Sequence, residues 1–415
     1  MEKTVESRVA ESEALYDQAL RIIPWGTQTG SKRPPEDLRG FYPPYIERGQ
    51  GAYVFDLDGN RYIDYKLACG PIILGHAYKA VDKAVMSKLE GGIVYGSAHP
   101  LEVQVAQELI RLIPCAEMVR FLKTGAEGAA ATVRLARAHT GRDKIVSFGY
   151  HGWHDWCVNR GKGIPAAISE LTISLPYEDA DRLEETLRQN RGQVAGVVVT
   201  PPIHGPQQWN SLGSFLETVQ AVCEEYGVLL IFDEIVSGFR TAIGGIQERF
   251  DIVPDLAVFS KAIANGFPIS AVVGRREVME AWDEVVITST FGGETMSLAA
   301  ALATIHELEQ QDVLAHIWRL GQRLIEGVND MAERMDLDLQ AGGCPATPSL
   351  LSFVGDDEER NQARLTDCLK ELLRRGIMPY SGTCWYLCFS HTEEDVENTL
   401  QAIGETLEVV RGRQY

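Results

Sequence analysis

Two residues of this chain stand where a reactive group is held rather than solvated. Lys261 follows the apolar run Leu256-Ala-Val-Phe-Ser260, and Asp233 closes the run Leu229-Leu-Ile-Phe232. Lysine is almost never fully buried without a partner. A lysine fixed at the end of an apolar strand is therefore a candidate nucleophile, whose amine can form an imine with a carbonyl carbon. An acid at the end of a second buried strand can keep a basic ring nitrogen protonated. Strand ends of parallel sheets are where ligands bind. Each residue also has an ordinary reading: Asp233 as the cap of a following helix, and Lys261 as one more solvated lysine.

The elements that must hold them follow from hydrophobic pattern. Ser12 to Ile23 has apolar positions at helical spacing and stops at Pro24, which predicts an amphipathic helix. Trp25 to Pro44 is rich in Gly, Pro and Thr and reads as loop. Two alternating runs flank Asp58-Gly59-Asn60, a hairpin signal. From about residue 100 to 290, short apolar runs alternate with helical stretches. The runs are Val119 to Leu122, Ile145 to Phe148, Val194 to Val199, Val228 to Phe232, Leu256 to Phe259 and Ile269 to Val273. Several lack polar alternation, as strands covered on both faces do. The expected class is α/β, with a mostly parallel sheet in a large domain. After Ser297 a long Ala/Leu-rich helical pattern begins. The C-terminal part mixes helices (Gln362 to Arg374, Glu393 to Val410) with short strands (Ser349 to Val354, Trp385 to Phe389), a smaller α+β domain. The expected division is 1–65 joining the small domain, 66–312 as the large domain, and 313–415 as the C-terminal small domain.

Bulk properties narrow the partners. The chain has 415 residues, 45% hydrophobic and 23% charged, with a formal net charge of −19. Such a field repels nucleic acid and anionic membranes and favours a cationic small substrate, although acidity can also serve solubility alone. Eight cysteines are scattered with no C-x-x-C pair, as expected of reduced thiols. Met1 to Ala10 is polar and charged and has no apolar core of a secretory signal. No stretch reaches the roughly 18 apolar residues of a spanning helix. The reading is a cytoplasmic protein. His151 and His154 lack a third ligand at usable spacing, so no metal is expected.

Six segments together resemble the class III, fold-type I aminotransferases, and within them the glutamate-1-semialdehyde aminomutase-like branch. They are Asp56-Leu-Asp-Gly-Asn-Arg-Tyr-Ile-Asp64, Gly70-Pro-Ile-Ile-Leu-Gly-His76, Val133-Arg-Leu-Ala-Arg-Ala-His-Thr-Gly-Arg142, Tyr150-His-Gly152, Phe232-Asp-Glu-Ile-Val-Ser-Gly-Phe-Arg240 and Phe259-Ser-Lys-Ala-Ile-Ala-Asn-Gly266. The resemblance spans nearly the whole chain and implies pyridoxal 5′-phosphate (PLP) as cofactor. By position, Lys261 matches the Schiff-base lysine and general base, and Asp233 the acid on the pyridine nitrogen. Ile235 matches the aliphatic residue on one ring face, and Tyr150 the aromatic on the other. Thr124-Gly125-Ala126-Glu127 matches the phosphate loop ahead of a helix. Ala126 lacks the hydroxyl the family often has there, which leaves Thr124 or the backbone to supply that bond. Thr290 matches the threonine that reaches the phosphate of the neighbouring subunit, which implies a homodimer with shared active sites; it also reads as a turn residue leading into a helix.

Departures lie on the substrate side. The aminomutase arginine that holds a substrate carboxylate has Lys32 as its nearest aligned base, Gly382-Thr-Cys-Trp385 replaces a Tyr-Glu-Ala-Gly stretch, and Thr200-Pro201 replaces Glu-Pro. Gly26-Thr-Gln-Thr-Gly-Ser-Lys32 and Phe291-Gly-Gly-Glu-Thr-Met-Ser-Leu-Ala-Ala-Ala301 resemble the subgroup working on sugar-derived substrates in polysaccharide or aminoglycoside antibiotic pathways. Tyr95, Trp153, Glu294 and Trp385 are candidate pocket walls, and each reads equally well as core or interface packing. The implied activity is transfer of an amino group between an amino donor and a carbonyl substrate. A 2,1-aminomutase, an epimerase or a dehydrating enzyme on an amino sugar would use the same residues.

Overall fold

The apolar runs of the middle of the chain pair into one seven-stranded sheet. The structure is a computed structural model that describes residues 8–158, 161–177, 179–355 and 357–415. The strand order is Met118–Leu122, Ser270–Gly274, Leu256–Phe259, Leu229–Asp233, Val194–Val199, Lys144–Phe148, Thr172–Leu175. Neighbours from Leu256–Phe259 to Thr172–Leu175 are parallel, and Ser270–Gly274 is antiparallel to the strand on either side. Two antiparallel steps in succession leave Met118–Leu122 running the same way as Leu256–Phe259. Every strand except Ser270–Gly274 therefore ends on one edge of the sheet. All of Val194–Val199 is buried, which explains why it carries no polar alternation.

The helix Gly125–Thr140 lies on this sheet through Ala129, Val133 and Ala136, against Ile145, Ile231 and Val258. Small residues let it approach closely. A Cβ on Gly128 would stand 2.5 Å from Val258 Cγ2, so a larger residue there would push the helix off the sheet.

By contacts the chain divides into two units. A sheet unit comprises Lys79–Ile203 and Gln207–Leu314; a terminal unit comprises the residues up to Tyr78, His204–Pro206 and Ala315–Tyr415. In the terminal unit the expected hairpin is present as Tyr53–Asp56 and Arg61–Asp64, with Gly59 at φ +81° and Asp56 accepting from the Asn60 N–H at 2.7 Å. Ile46–Gln50 and the two-residue strand Ile377–Met378 extend it on either side. The helices Glu358–Arg374 and Glu393–Arg411 pack on each other.

Two expected elements differ in the structure. The N-terminal helix is Ala10–Ala19, because the chain tightens into three-residue turns from Arg21 before Pro24. Residues 1–7 of the polar N-terminal stretch lie outside the described residues. Trp385 to Phe389 is not a strand. Its N–H groups bond alternately to Pro348 and Ala346 on one side and to Tyr65 and Ile73 on the other, so no ladder with one partner forms. Among the described residues no helix is long and apolar enough to cross a membrane, and all eight cysteines are free thiols.

Candidate active site

The candidate cofactor residues other than Ile235 and Thr290 follow directly on strands that end on one edge of the sheet. Thr124, Gly125 and Ala126 come after Met118–Leu122, Tyr150 after Lys144–Phe148, and Lys261 after Leu256–Phe259, while Asp233 is the last residue of Leu229–Asp233. Ile235 lies two residues beyond Asp233.

Asp233 is buried, and its Oδ2 lies 3.0 Å from Nδ1 of the equally buried His151. The Thr200 hydroxyl donates to the Tyr150 carbonyl at 3.0 Å and sits 3.0 Å from the same His151 nitrogen. An N–H on Nδ1 is thus shared between the carboxylate and the threonine, and Nε2 has no partner among the described residues. His151 therefore orients the Asp233 carboxylate. In the sequence, His151 is weighed only as a metal ligand and set aside. Its partner is distant in the chain, and no local pattern announces the pair.

Lys261 is partly buried and has φ +49°, a left-handed conformation that non-glycine residues rarely adopt. Backbone strain of this kind concentrates at functional sites. Beside it the Ser260 hydroxyl donates to the Ile269 carbonyl at 2.8 Å, and Asn265 is left-handed as well.

At the start of Gly125–Thr140 the helix-end donors can be accounted for one by one. Thr124 is the N-cap. Its Oγ1 accepts from the Glu127 N–H, and the Glu127 carboxylate accepts from the N–H groups of Lys123 and Thr124 at 3.0 and 2.8 Å. The N–H groups of Gly125 and Ala126 remain without a partner among the described residues. Two free donors at the positive end of a 16-residue helix can take a dianionic phosphate. A Cβ on Gly125 would stand 2.6 Å from Ile235 Cδ1, so glycine is required where this loop meets Ile235. Gly152 presses on the loop from the other side: a Cβ there would be 2.7 Å from that of Ala126.

Tyr150 is 76% exposed and Trp153 is 74% exposed, so both rings are open to a ligand or a partner. Tyr95 is less so, with its hydroxyl donating to the Gly91 and Gly92 carbonyls and its ring stacked on His99. Thr290 is exposed in a turn. Glu294 has a different surrounding. It is buried, caps the helix Thr295–Gln310 by accepting from Met296 and Ser297, and pairs with Lys123 at 2.9 Å. Lys123 Nζ also donates to the Pro268 carbonyl at 2.8 Å. One ammonium thus ties together the Thr124 loop, the segment after Lys261 and the start of a third helix. Sequence reasoning misses Lys123, because a lysine after a strand carries no signal of a partner 171 residues away. In the terminal unit Lys32 is exposed at the end of a short turn, while Trp385 is fully buried against Tyr65 at 5.1 Å and offers no face to a ligand within that unit.

Glu234, next to Asp233, is fully buried. It accepts from the Ser237 hydroxyl and from the N–H groups of Ile246 and Gln247 at 3.0 and 3.2 Å. Burial pushes its carboxyl up to about 7 against those donors. Among the described residues no three or more His, Cys, Asp or Glu side chains are grouped to hold a metal ion.

A lysine and an acid at adjacent strand ends, with a glycine loop at a helix N-terminus, define a fold-type I PLP-dependent transferase. A family described as aminotransferase class-III matches residues 39–378, and the chain belongs to that family. A 3-aminobutyryl-CoA aminotransferase of Cloacimonas acidaminovorans (strain Evry) is 35% identical over 97% of this chain and 98% of its own length. A glutamate-1-semialdehyde 2,1-aminomutase of Methanothrix thermoacetophila is 36% identical over 94% of this chain and 95% of its own. Among solved structures, the PLP internal aldimine form of the FumI protein of Sphingopyxis sp. MTA144 superimposes with a TM-score of 0.89 at 28% identity, covering 97% of both chains. The cofactor is PLP and the enzyme is an aminotransferase.

Proposed function

We propose that this aminotransferase moves an amino group from an amino donor to a carbonyl of a sugar-derived or aminocyclitol substrate, with Lys261 as the catalytic residue. PLP supplies an electrophilic carbon and a ring that delocalises the electron pair left when the substrate carbon loses its proton. The Lys261 amine anchors the cofactor between turnovers and, once released, takes the proton from the substrate carbon and returns it elsewhere. Asp233, held by His151, keeps a proton on the pyridine nitrogen. Gly125 and Ala126 donate their free N–H groups to the phosphate, with the Thr124 hydroxyl hydrogen also available. Ile235 and Tyr150 hold the ring faces. Thr290 reaches the phosphate in the neighbouring subunit of a homodimer. The observation that carries these roles is the meeting of a left-handed Lys261, a buried Asp233 and two unpaired helix N–H groups on one sheet edge.

The sugar-derived substrate is supported by the segments at 26–32 and 291–301 and by the net charge of −19, which attracts a polycation. The 35% identity to a 3-aminobutyryl-CoA aminotransferase favours a second reading, an acyl substrate bearing the amine away from its activated carbonyl. Tyr95 and Trp153 of the sheet unit are the substrate residues we carry forward, and Lys32 of the terminal unit is carried forward on the resemblance alone; Glu294 acts by capping a helix and pairing with Lys123, and Trp385 by packing within the terminal unit.

The experiment is a mass-spectrometric screen of purified holoenzyme with common amino donors against keto-sugars, oxidised aminoglycosides, acetoacetyl-CoA and glutamate-1-semialdehyde. Turnover of the sugar group supports the first reading. Turnover of acetoacetyl-CoA alone moves the assignment to the second, and turnover of glutamate-1-semialdehyde alone makes the protein an aminomutase. Sedimentation of the holoenzyme as a monomer would remove the shared site.

A further inference from the structure

Thr200, read from the sequence as a substrate-side departure, meets residues assigned to the cofactor. It follows the strand Val194–Val199, and its backbone is held on both sides. Its N–H donates to the Phe148 carbonyl at 3.0 Å, and its carbonyl accepts from the Tyr177 hydroxyl at 2.7 Å. Gly149 permits this approach. It has φ +97°, and a Cβ there would stand 3.0 Å from Thr200 Cβ and would collide with Tyr177 Oη. The Thr200 side chain is thus presented to Tyr150 and His151 from a fixed backbone.

The Thr200 hydroxyl has one hydrogen, and that hydrogen goes to the Tyr150 carbonyl. Towards His151 Nδ1 the oxygen therefore offers only a lone pair. The Asp233 carboxylate on the same nitrogen is an acceptor as well. Two acceptors at one ring nitrogen require the hydrogen there, which fixes the His151 tautomer. They also fix the rotation of the ring, because its N–H must lie between two oxygens. The other carboxylate oxygen, Asp233 Oδ1, accepts from the Ile235 N–H at 3.2 Å. Both oxygens of Asp233 are thereby anchored. Because Thr200 takes a share of the His151 N–H, Oδ2 keeps more of its negative charge than a bond to Asp233 alone would leave it.

We infer that Thr200 is a positioning residue for the PLP ring: its single hydroxyl tethers the Tyr150 backbone and, through His151, sets the Asp233 carboxylate. Supporting bonds of this kind hold a site in its working geometry without touching the ligand. The inference rests on the roles proposed above for Asp233 and Tyr150, and it gives Thr200 no contact with the substrate.

Two measurements test it: PLP titration read by absorbance, and NMR of the PLP-loaded enzyme with nitrogen-15 in its histidines. Loss of a signal in His151→Gln identifies the His151 N–H. Thr200→Val keeps the shape of the side chain and removes the hydroxyl. It should shift the His151 N–H signal and weaken PLP binding about five- to tenfold. Thr200→Ser restores the hydroxyl and should bring both close to the parent. Asp233→Asn is the control, and should weaken PLP binding at least as much as Thr200→Val. Parent-like PLP binding in Thr200→Val, or a His151 signal that it does not move, overturns the inference. A Thr200→Ser variant as weak as Thr200→Val does the same, because the methyl group would then be what matters. If Asp233→Asn is impaired and Thr200→Val is not, the inference fails alone; if Asp233→Asn binds PLP like the parent, the Asp233 role fails and the inference with it.

Discussion

Each unit of this enzyme buries a titratable side chain outside the candidate active-site roles, and the two respond to pH in opposite senses. In the sheet unit it is Glu234, pushed up from 4.5 to about 7. In the terminal unit it is His391, stacked on Tyr65 at 4.7 Å and pushed down from 6.5 to about 4. The cause is the same in both. Burial penalises the charged form, whatever its sign. The Glu234 hydrogen bonds and the attraction of Asp395 and Asp64 for a charged His391 oppose that penalty and do not overcome it. The Cys388 N–H donates to His391 Nδ1 at 3.0 Å, which fixes the neutral ring with its hydrogen on Nε2. Burial as such therefore sets no pH optimum for a protein; the choice of an acid or a base at the buried position does.

The largest effect expected separates chemistry from these titrations. Lys261→Ala should lower transamination by at least about a thousandfold while leaving the pH dependence of unfolding as in the parent. An activity loss below about tenfold would remove Lys261 from its proposed role.

The pH curves themselves come next. Between 4.5 and about 7 the folded protein holds the Glu234 proton more tightly than the unfolded chain, so this contribution to stability falls as pH rises through that window. Between about 4 and 6.5 the unfolded chain holds the His391 proton more tightly, so this contribution is intact above 6.5 and is lost as pH falls. At about 1.4 kcal/mol per pH unit, each can change stability by up to about 3 kcal/mol. Hydrogen exchange followed by mass spectrometry from pH 7 to 5 should show the helix Glu393–Arg411 losing protection while the strand Leu229–Asp233 gains it. His391→Asn should flatten the first trend and Glu234→Gln the second. Parallel trends in the two units would break the comparison.

The smallest effect belongs to the Lys123–Glu294 pair. Glu294→Gln keeps an acceptor for the helix cap and removes the charge opposite a half-buried ammonium. PLP titration of the apo-enzyme, read by absorbance, should show about five- to tenfold weaker binding. The double variant Lys123→Met with Glu294→Gln should recover part of it. Simple additivity of the two single variants would show that the pair does not act as a unit.

Much of the sheet is legible in residue order and hydropathy. The unalternating runs Val194–Val199 and Leu229–Asp233 announce strands covered on both faces, and the Asp58-Gly59-Asn60 turn announces its hairpin. Thr172–Leu175 escapes that reading, because a four-residue edge strand with two hydroxyl residues carries little apolar signal. Trp385 to Phe389 misleads for the opposite reason. It is apolar because it is buried, and its hydrogen bonds are divided between two flanking segments.

By itself the sequence determined the α/β class, the family and the cofactor. A lysine and an acid ending two apolar strands, and a glycine at a helix start, are local arrangements written in adjacent residues. Only the tertiary structure decided what surrounds them. His151 meets Asp233 and Lys123 meets Glu294 through contacts between residues that local patterns do not relate. Glu294 shows the limit most directly. As a residue type it could face a substrate, and three donors from a helix end and a neighbouring loop occupy it instead.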